Sequence, residues 1–168
     1  MIRSLLIVTL LGLTLSLPTL SWAKANKQQR QYIQQMIIQE AKALQIPISL
    51  ALAVAHVESY FDPRIESHKG ARGVMQIMPA TAMGEYGIPK KMLWNPQVNV
   101  RLGLHFLRRL LQRYKGRVNL ALSYYNGGSR VGDLPNARII PATRRYVAKV
   151  RHWQKRYQYK LYRGMDLL

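Results

Sequence analysis

The stretch ISLALAVAHVES, residues 48–59, constrains this chain more than any other. It is the most apolar internal segment of a protein that carries 26 Lys and Arg against 7 Asp and Glu. Its Ala, Val and Leu residues read as a helix, with Pro47 before it, Ser49 as the expected N-cap, and Asp62-Pro63 as the expected stop. Near its end stands Glu58, four residues after Val54 and seven after Ala51, so all three share one helical face. A carboxyl on such a face loses water. Desolvation penalises the charged form, so its pKa is expected to rise. A raised carboxyl pKa is what a general acid at neutral pH requires. The plainer reading of the same residue is a helix-end Glu that reaches solvent or pairs with an Arg.

The start of the chain has a different character. Arg3 is followed by an apolar run from Leu5 to Leu17, then Pro18 and the small-x-small ending Ser21-Trp22-Ala23. That is the layout of a secretory signal peptide over residues 1–23, and the run is short for an ordinary membrane span. An uncleaved anchor is the alternative, and cleavage after Ala25 is a second option. Residues 24–158 then form one domain and 159–168 a basic, then apolar, tail. Without Arg3 the formal charge is +18, by subtraction from +19. An exported protein so charged meets anionic partners: wall carboxylates, teichoic or lipopolysaccharide phosphates, membrane surfaces. A secreted nucleic-acid binder is suggested by charge alone, without a binding motif, and no nucleic acid is expected as a partner. There is no Cys, so an exported chain of this kind relies on packing and not on disulfides.

Helical signals dominate the rest. Ile33, Met36, Ile37, Ala41 and Leu44 recur at helical spacing over 27–44. Pro63, Gly70 and Gly73 mark 62–74 as irregular or a short β-hairpin, and Pro79 opens a short helix, PATAMGEY. Asn95-Pro96 starts a helix with Leu102, Phe106, Leu110 and Tyr114 on one stripe and Gly116 at its end. Asn119 is the expected cap of LALSYYN, which stops at Gly127-Gly128. Residues 128–141 read as a loop. A last helix, about 142–157, turns Tyr146, Val150, Trp153 and Tyr157 inward. The fold class is mainly α: a single helical domain with at most a small β-hairpin.

The residue inventory narrows the chemistry. The four His, at 56, 68, 105 and 152, give no H-E-x-x-H spacing. His56-Val57-Glu58 matches the H-x-E of zinc deaminases, whose P-C-x-x-C partner is impossible without Cys. No metal and no cofactor is expected. There is no Cys nucleophile, no G-x-S-x-G and no phosphate-binding G-x-x-x-x-G-K-S/T loop. Carboxylates remain, and Glu58 is the one set in an apolar run. As a second carboxylate, Asp62 is four residues on but precedes Pro63 and is expected to leave the helix, and Glu66 and Glu85 are candidates by proximity alone.

Glu58-Ser59, Ser67, GVMQIMP at 73–79, NPQVNVRLGLHFL from 95, YNGG at 125–128 and TRRYV at 143–147 follow in this order. Together they resemble the soluble-type (SLT) lytic transglycosylases, whose domain is similar to goose-type lysozyme. The likeness runs from about residue 30 to 155. It implies a lysozyme-like α+β fold and one catalytic residue, Glu58, acting as acid and then base. It places Ser67 near the N-acetyl or glycosidic region, Gln76 and Met78 along the sugar subsites, and Tyr125 facing the reacting sugar. Asn126 would support that turn, and Tyr146 would lie near Glu58. Each has a structural alternative: Met75 and Met78 as core filler, Tyr124 and Tyr146 as packed aromatics, Ser67 as a turn serine, and Asn126 as a local helix-end hydrogen bonder. Two positions depart from the family pattern. Gly127 replaces a common Ala and should loosen the turn slightly. His56 stands where a less polar residue is expected, and from the cleft it would alter the pKa of Glu58.

The implied substrate is the peptidoglycan glycan strand, cut between N-acetylmuramic acid and N-acetylglucosamine with formation of a 1,6-anhydro end. A muramidase that hydrolyses the same bond, or a non-catalytic wall-binding module, are the alternatives. The resemblance further implies a periplasmic monomer in the bacterial envelope, and small members of this kind resemble those that serve secretion, conjugation or pilus machines. The basic final helix, RHWQKRYQYKLYR, reads as a solvated face, or as one that holds a partner, an anionic wall polymer or a membrane.

Overall fold

A computed structural model describes residues 18–167, with side chains from 23 onward. The expected leader, 1–23, lies outside the described residues as far as residue 17. Its remainder forms the beginning of the first helix. Six α-helices follow in order: α1 (Pro18–Ala43), α2 (Ile48–Ser59), α3 (Pro79–Tyr86), α4 (Pro96–Arg113), α5 (Val118–Gly127) and α6 (Arg144–Tyr162). Among the described residues the only β pairing is two isolated bridges, Glu66 with Arg72 and Arg72 with Ile77, in place of the hairpin that 62–74 allowed.

The centre of the domain is α2. Leu50 through Ala55 are without exposure on any side. A helix apolar all round has no face to give to water and must be surrounded. α6 and α1 pack against it, while α4 adds Leu104 and Leu107, and α5 Leu122, to the same core. Burial of each such Leu removes its apolar surface from water, worth about 2 kcal/mol.

Local punctuation places most helix ends. The Asn95 side chain accepts the N–H groups of Gln97 and Val98 and Pro96 opens α4, as its sequence predicts. Two expected caps are wrong. α2 begins at Ile48, straight after Pro47, whose carbonyl accepts from Leu50 and Ala51. Ser49 is therefore buried in the first turn. α5 begins at Val118 behind Arg117, whose carbonyl accepts from Leu120 and Ala121. Asn119 is an exposed residue of that first turn. In both cases the backbone starts the helix two residues earlier than expected, and no side-chain cap holds the start.

The far end of α2 also differs from expectation. The helix stops at Ser59, because Tyr60 and Phe61 take left-handed conformations, φ 53° and 64°. Asp62 acts after this stop, accepting the Arg64 N–H. At the other end of the chain, the expected tail from 159 is helix as far as Tyr162.

Candidate active site

Glu58 ends α2 beside the start of α6. Tyr146, in the first turn of α6, donates its hydroxyl to Glu58 Oε1 at 2.6 Å. Burial pushes the Glu58 carboxyl up to about 7, and the Tyr146 hydrogen bond pulls in the opposite direction with less effect. The residue is half-buried, and Oε2 takes no protein partner among the described residues, nor is it sealed from solvent. One oxygen is thus fixed and the other is free to exchange a proton with a ligand.

The other carboxylates are engaged elsewhere. Glu40 faces Arg101 and His105, Glu66 faces Arg72, Glu85 faces Arg109, Asp133 faces Arg113, and Asp166 faces Lys27. Asp62 is held by the Arg64 backbone. Glu58 has a tyrosine and no cation. Burial raises its pKa, and no opposite charge stands close enough to lower it. No group of three or more His, Asp or Glu among the described residues is arranged to hold a metal ion.

The 72–77 turn forms the neighbouring wall, and three helices clamp its backbone. Ser59, at the end of α2, donates to Val74 O at 2.8 Å. Tyr125, on α5, donates to Met75 O at 2.9 Å. Asn99, fully buried on α4, accepts the Met75 N–H at 2.8 Å and donates to Arg72 O and Leu93 O. Gly103 lets α4 approach this turn, because a Cβ there would stand 2.4 Å from that of Met75. Asn99 and Tyr125 thereby satisfy both polar groups of the Met75 peptide, which burial would otherwise leave costly.

The predicted site residues divide on this frame. Glu58, Tyr125 and Tyr146 come together. The hydroxyls of both tyrosines are pushed well above their ordinary value, first by burial and then by the Glu58 carboxylate, so both stay protonated donors. Gln76 sits at the tip of the clamped turn in a left-handed conformation, φ 48°. Its amide nitrogen donates to Ile65 O at 3.1 Å and Gly73 O at 3.0 Å, which holds the strained residue in place. Met78 is 39% exposed, whereas Met75 is fully buried, so only Met75 is core filler. Ser67 accepts the Ala71 N–H at 3.0 Å and closes a turn over 67–71. Asn126 is exposed at the end of α5 and has no side-chain hydrogen bond among the described residues.

That end is held instead by a buried pair, Ser123 and Thr143, whose hydroxyls are 2.7 Å apart. Ser123 also accepts the Ile140 N–H, and Thr143 donates to Ile140 O. Gly127 does not loosen this junction. A Cβ there would meet Thr143 Cγ2 at 2.7 Å and Ile140 Cδ1 at 2.9 Å, so glycine is what lets α5 close against the start of α6.

His56 faces away from Glu58. It stacks on Trp153 at 3.6 Å between centroids, and its Nδ1 is 2.7 Å from the Tyr157 hydroxyl. Burial, then Arg156, Arg30 and Lys160, lower its pKa to about 4. It does not contribute to the Glu58 shift. Ser59, Asn99, Ser123 and Thr143 had no role assigned from the sequence, although Ser59, Asn99 and Thr143 lie inside the motif strings and Ser123 stands two residues before one. The signal that marks them is a small polar residue set among apolar helical neighbours, which in a buried position must find a partner.

Comparison with known proteins adds a family to this geometry. The family model described as Transglycosylase SLT domain matches residues 35–134. The soluble lytic murein transglycosylase of Escherichia coli K12 is 30% identical over 137 residues, covering 68% of this chain and 21% of the relative. Two solved structures are similar over 76% of this chain and 24% of theirs. They are the 70 kDa soluble lytic transglycosylase of Escherichia coli, with TM-score 0.66 and 27% identity, and an inactive mutant of the lytic transglycosylase Slt of Pseudomonas aeruginosa, with TM-score 0.65 and 29% identity. The chain thus spans about a fifth to a quarter of the length of these relatives.

Proposed function

The chain belongs to the transglycosylase SLT domain family, and from that premise we propose that it is a lytic transglycosylase of peptidoglycan with Glu58 as its one acid and base. The observation that carries this reading is a lone carboxyl with a pKa of about 7, fixed at 2.6 Å by Tyr146 and free of any cation.

In the proposed reaction, Glu58 gives its proton to the glycosidic oxygen between N-acetylmuramic acid and N-acetylglucosamine, and the bond to C1 breaks. Ordinary retaining and inverting glycosidases bring a second carboxylate to that stage. Here the remaining acids are committed to Arg, Lys, His or backbone partners. The N-acetyl oxygen of the substrate stabilises C1 instead. The muramic C6 hydroxyl then closes on C1 and returns its proton to Glu58. The product is a 1,6-anhydro end, no water is consumed, and the acid is regenerated. Tyr146 steadies the carboxylate while it is charged. Tyr125 faces the reacting sugar, Gln76 and Met78 line the sugar subsites, Asn126 supports the turn after Tyr125, and Ser67 lies near the N-acetyl or glycosidic region.

Export by a leader over 1–23 and work in the periplasm as a monomer, alone or beside an envelope machine, complete the reading. Digestion of purified sacculi with mass spectrometry of the products tests it. Wild type is expected to release 1,6-anhydro fragments, and Glu58→Gln none. Fragments heavier by one water would instead make the protein a muramidase, and no fragments from wild type would leave a wall-binding module.

A further inference from the structure

Charge is unevenly spread over this molecule. α6, RRYVAKVRHWQKRYQYKLY, contains seven Lys and Arg and no acid. The ion pairs use cations of α1, α4 and the loop before α3, and among the described residues none of the α6 cations has a carboxylate partner. Helical spacing puts His152, Lys155, Arg156, Tyr159 and Lys160 on one side of the helix. With Met165 they line an open groove of about 390 Å³. No buried polar network explains this concentration.

The same end also exposes bulky apolar side chains. Tyr162 is 86% exposed, Tyr159 58%, Met165 51% and Leu161 38%. Single exposed apolar residues need no explanation, but Tyr159 and Tyr162, three apart, share the groove's side of the helix, and Met165 lines the groove with Tyr159. The Lys27–Asp166 pair, 3.5 Å, brings the exposed, basic start of α1 to the same end. Cations alone would suit any polyanion. A dissolved phosphate polymer, however, offers no apolar surface to the tyrosines and the methionine held in water. A lipid surface answers both features: headgroup phosphates meet the Lys and Arg, while aromatic and aliphatic side chains enter the boundary below them.

We propose that the outward face of the C-terminal half of α6, with Met165 beyond it, docks on anionic phospholipid. None of the helices among the described residues is long and apolar enough to cross a membrane, so this is contact with the surface. Thirteen residues separate Tyr159 from Tyr146, about 20 Å along the helix at its ordinary rise. The docked face therefore leaves Glu58 open to a polymer. This inference stands apart from the chemistry of the cleft.

Co-sedimentation of the full chain with vesicles tests it. One set contains phosphatidylcholine alone and the other phosphatidylcholine mixed with phosphatidylglycerol, with soluble polyphosphate bound in parallel. Residues 1–17 are present in every sample, and the neutral vesicles measure what they contribute. Partition into anionic vesicles is expected to exceed that into neutral ones by about tenfold or more, and Lys155→Glu with Lys160→Glu removes the difference. Tyr159→Ser with Tyr162→Ser is expected to weaken vesicle binding several-fold while polyphosphate binding stays unchanged. Circular dichroism checks that these exposed substitutions keep the fold. Equal partition into both vesicle types would overturn the proposal. So would full vesicle binding by the tyrosine variant, or binding to polyphosphate without binding to vesicles.

Discussion

α2 presents two titratable side chains to α6, and the two ends of that contact are built in opposite ways. Glu58 meets Tyr146, and His56 meets Tyr157, each through a hydrogen bond of 2.6 or 2.7 Å. Burial drives both groups toward neutrality, the acid up to about 7 and the base down to about 4. At Glu58 no cation lies close enough to oppose this, and one oxygen stays open. At His56 the ring is sandwiched by Trp153 and edged by Tyr60, Phe61 and Tyr157, with Arg156, Arg30 and Lys160 adding to the shift. The Glu58 end can exchange a proton near neutral pH. The His56 end stays neutral and holds two helices together. Desolvation alone therefore does not make a reactive group. The open second oxygen does.

The sharpest way to break this contrast is substitution at each end. Glu58→Gln keeps shape and removes the proton, so wall-clearing activity should fall by at least about a thousandfold, within the range attributed to general acid–base catalysis. His56→Phe keeps the ring stack and should retain activity within a few-fold. An inactive but folded His56→Phe would mean that the two ends are not separate.

The next effect is on stability. A carboxyl raised from its ordinary value to about 7 favours the folded state fully below about pH 4.5, and that contribution is lost as pH rises through 7. Glu58→Gln removes the loss. It should therefore gain on wild type between pH 5 and 9, by on the order of 2 kcal/mol after screening at the open side, or several degrees in melting temperature. Chemical denaturation at the two pH values measures it, and a constant difference between the proteins would refute it.

Tyr146→Phe should act on the same group more gently. The lost hydrogen bond is the one influence holding the Glu58 pKa down, so the alkaline limb of the pH–rate profile should move up in pH. The rate should fall by about tenfold or less, the scale of one hydrogen bond. An unmoved limb would show that Tyr146 does not set the proton affinity of Glu58.

The smallest effect belongs to His56. A folded-state pKa lowered to about 4 means that stability is full above about pH 6.5 and is lost as pH falls toward 4. His56→Phe should be slightly less stable than wild type at pH 7, having lost the Tyr157 hydrogen bond. Its stability should then decline less between pH 6.5 and 4. Parallel acid melting curves for the two proteins would contradict this.

Much of the helical layout was legible in the sequence because its signals are local. The Asn95-Pro96 start, the Pro79 start and the Gly127-Gly128 stop each act within one helical turn. The apolar run of 48–55 indicated a buried helix, and the position of Glu58 on its face indicated a raised pKa, because side-chain direction in a helix follows from spacing. Ser49 and Asn119 misled, since a good capping residue does not prevent the backbone from starting two residues earlier. The family likeness, and not any periodicity, pointed to Tyr146 beside Glu58.

Tertiary structure decided the rest. Glu58 and Tyr146 are 88 residues apart in the chain, and His56 and Tyr157 are 101 apart. Nothing within a few residues of His56 distinguishes a cleft histidine from one stacked on a distant tryptophan. Asn99 and Gly103 likewise acquire their roles only where α4 meets the Met75 turn. By itself the sequence determined which residues carry charge, which faces are apolar and where helices can begin and end. Which donor meets which acceptor, and which carboxyl is left without a cation, depended on long-range packing, where the cost of a buried unpaired polar group selects the partner.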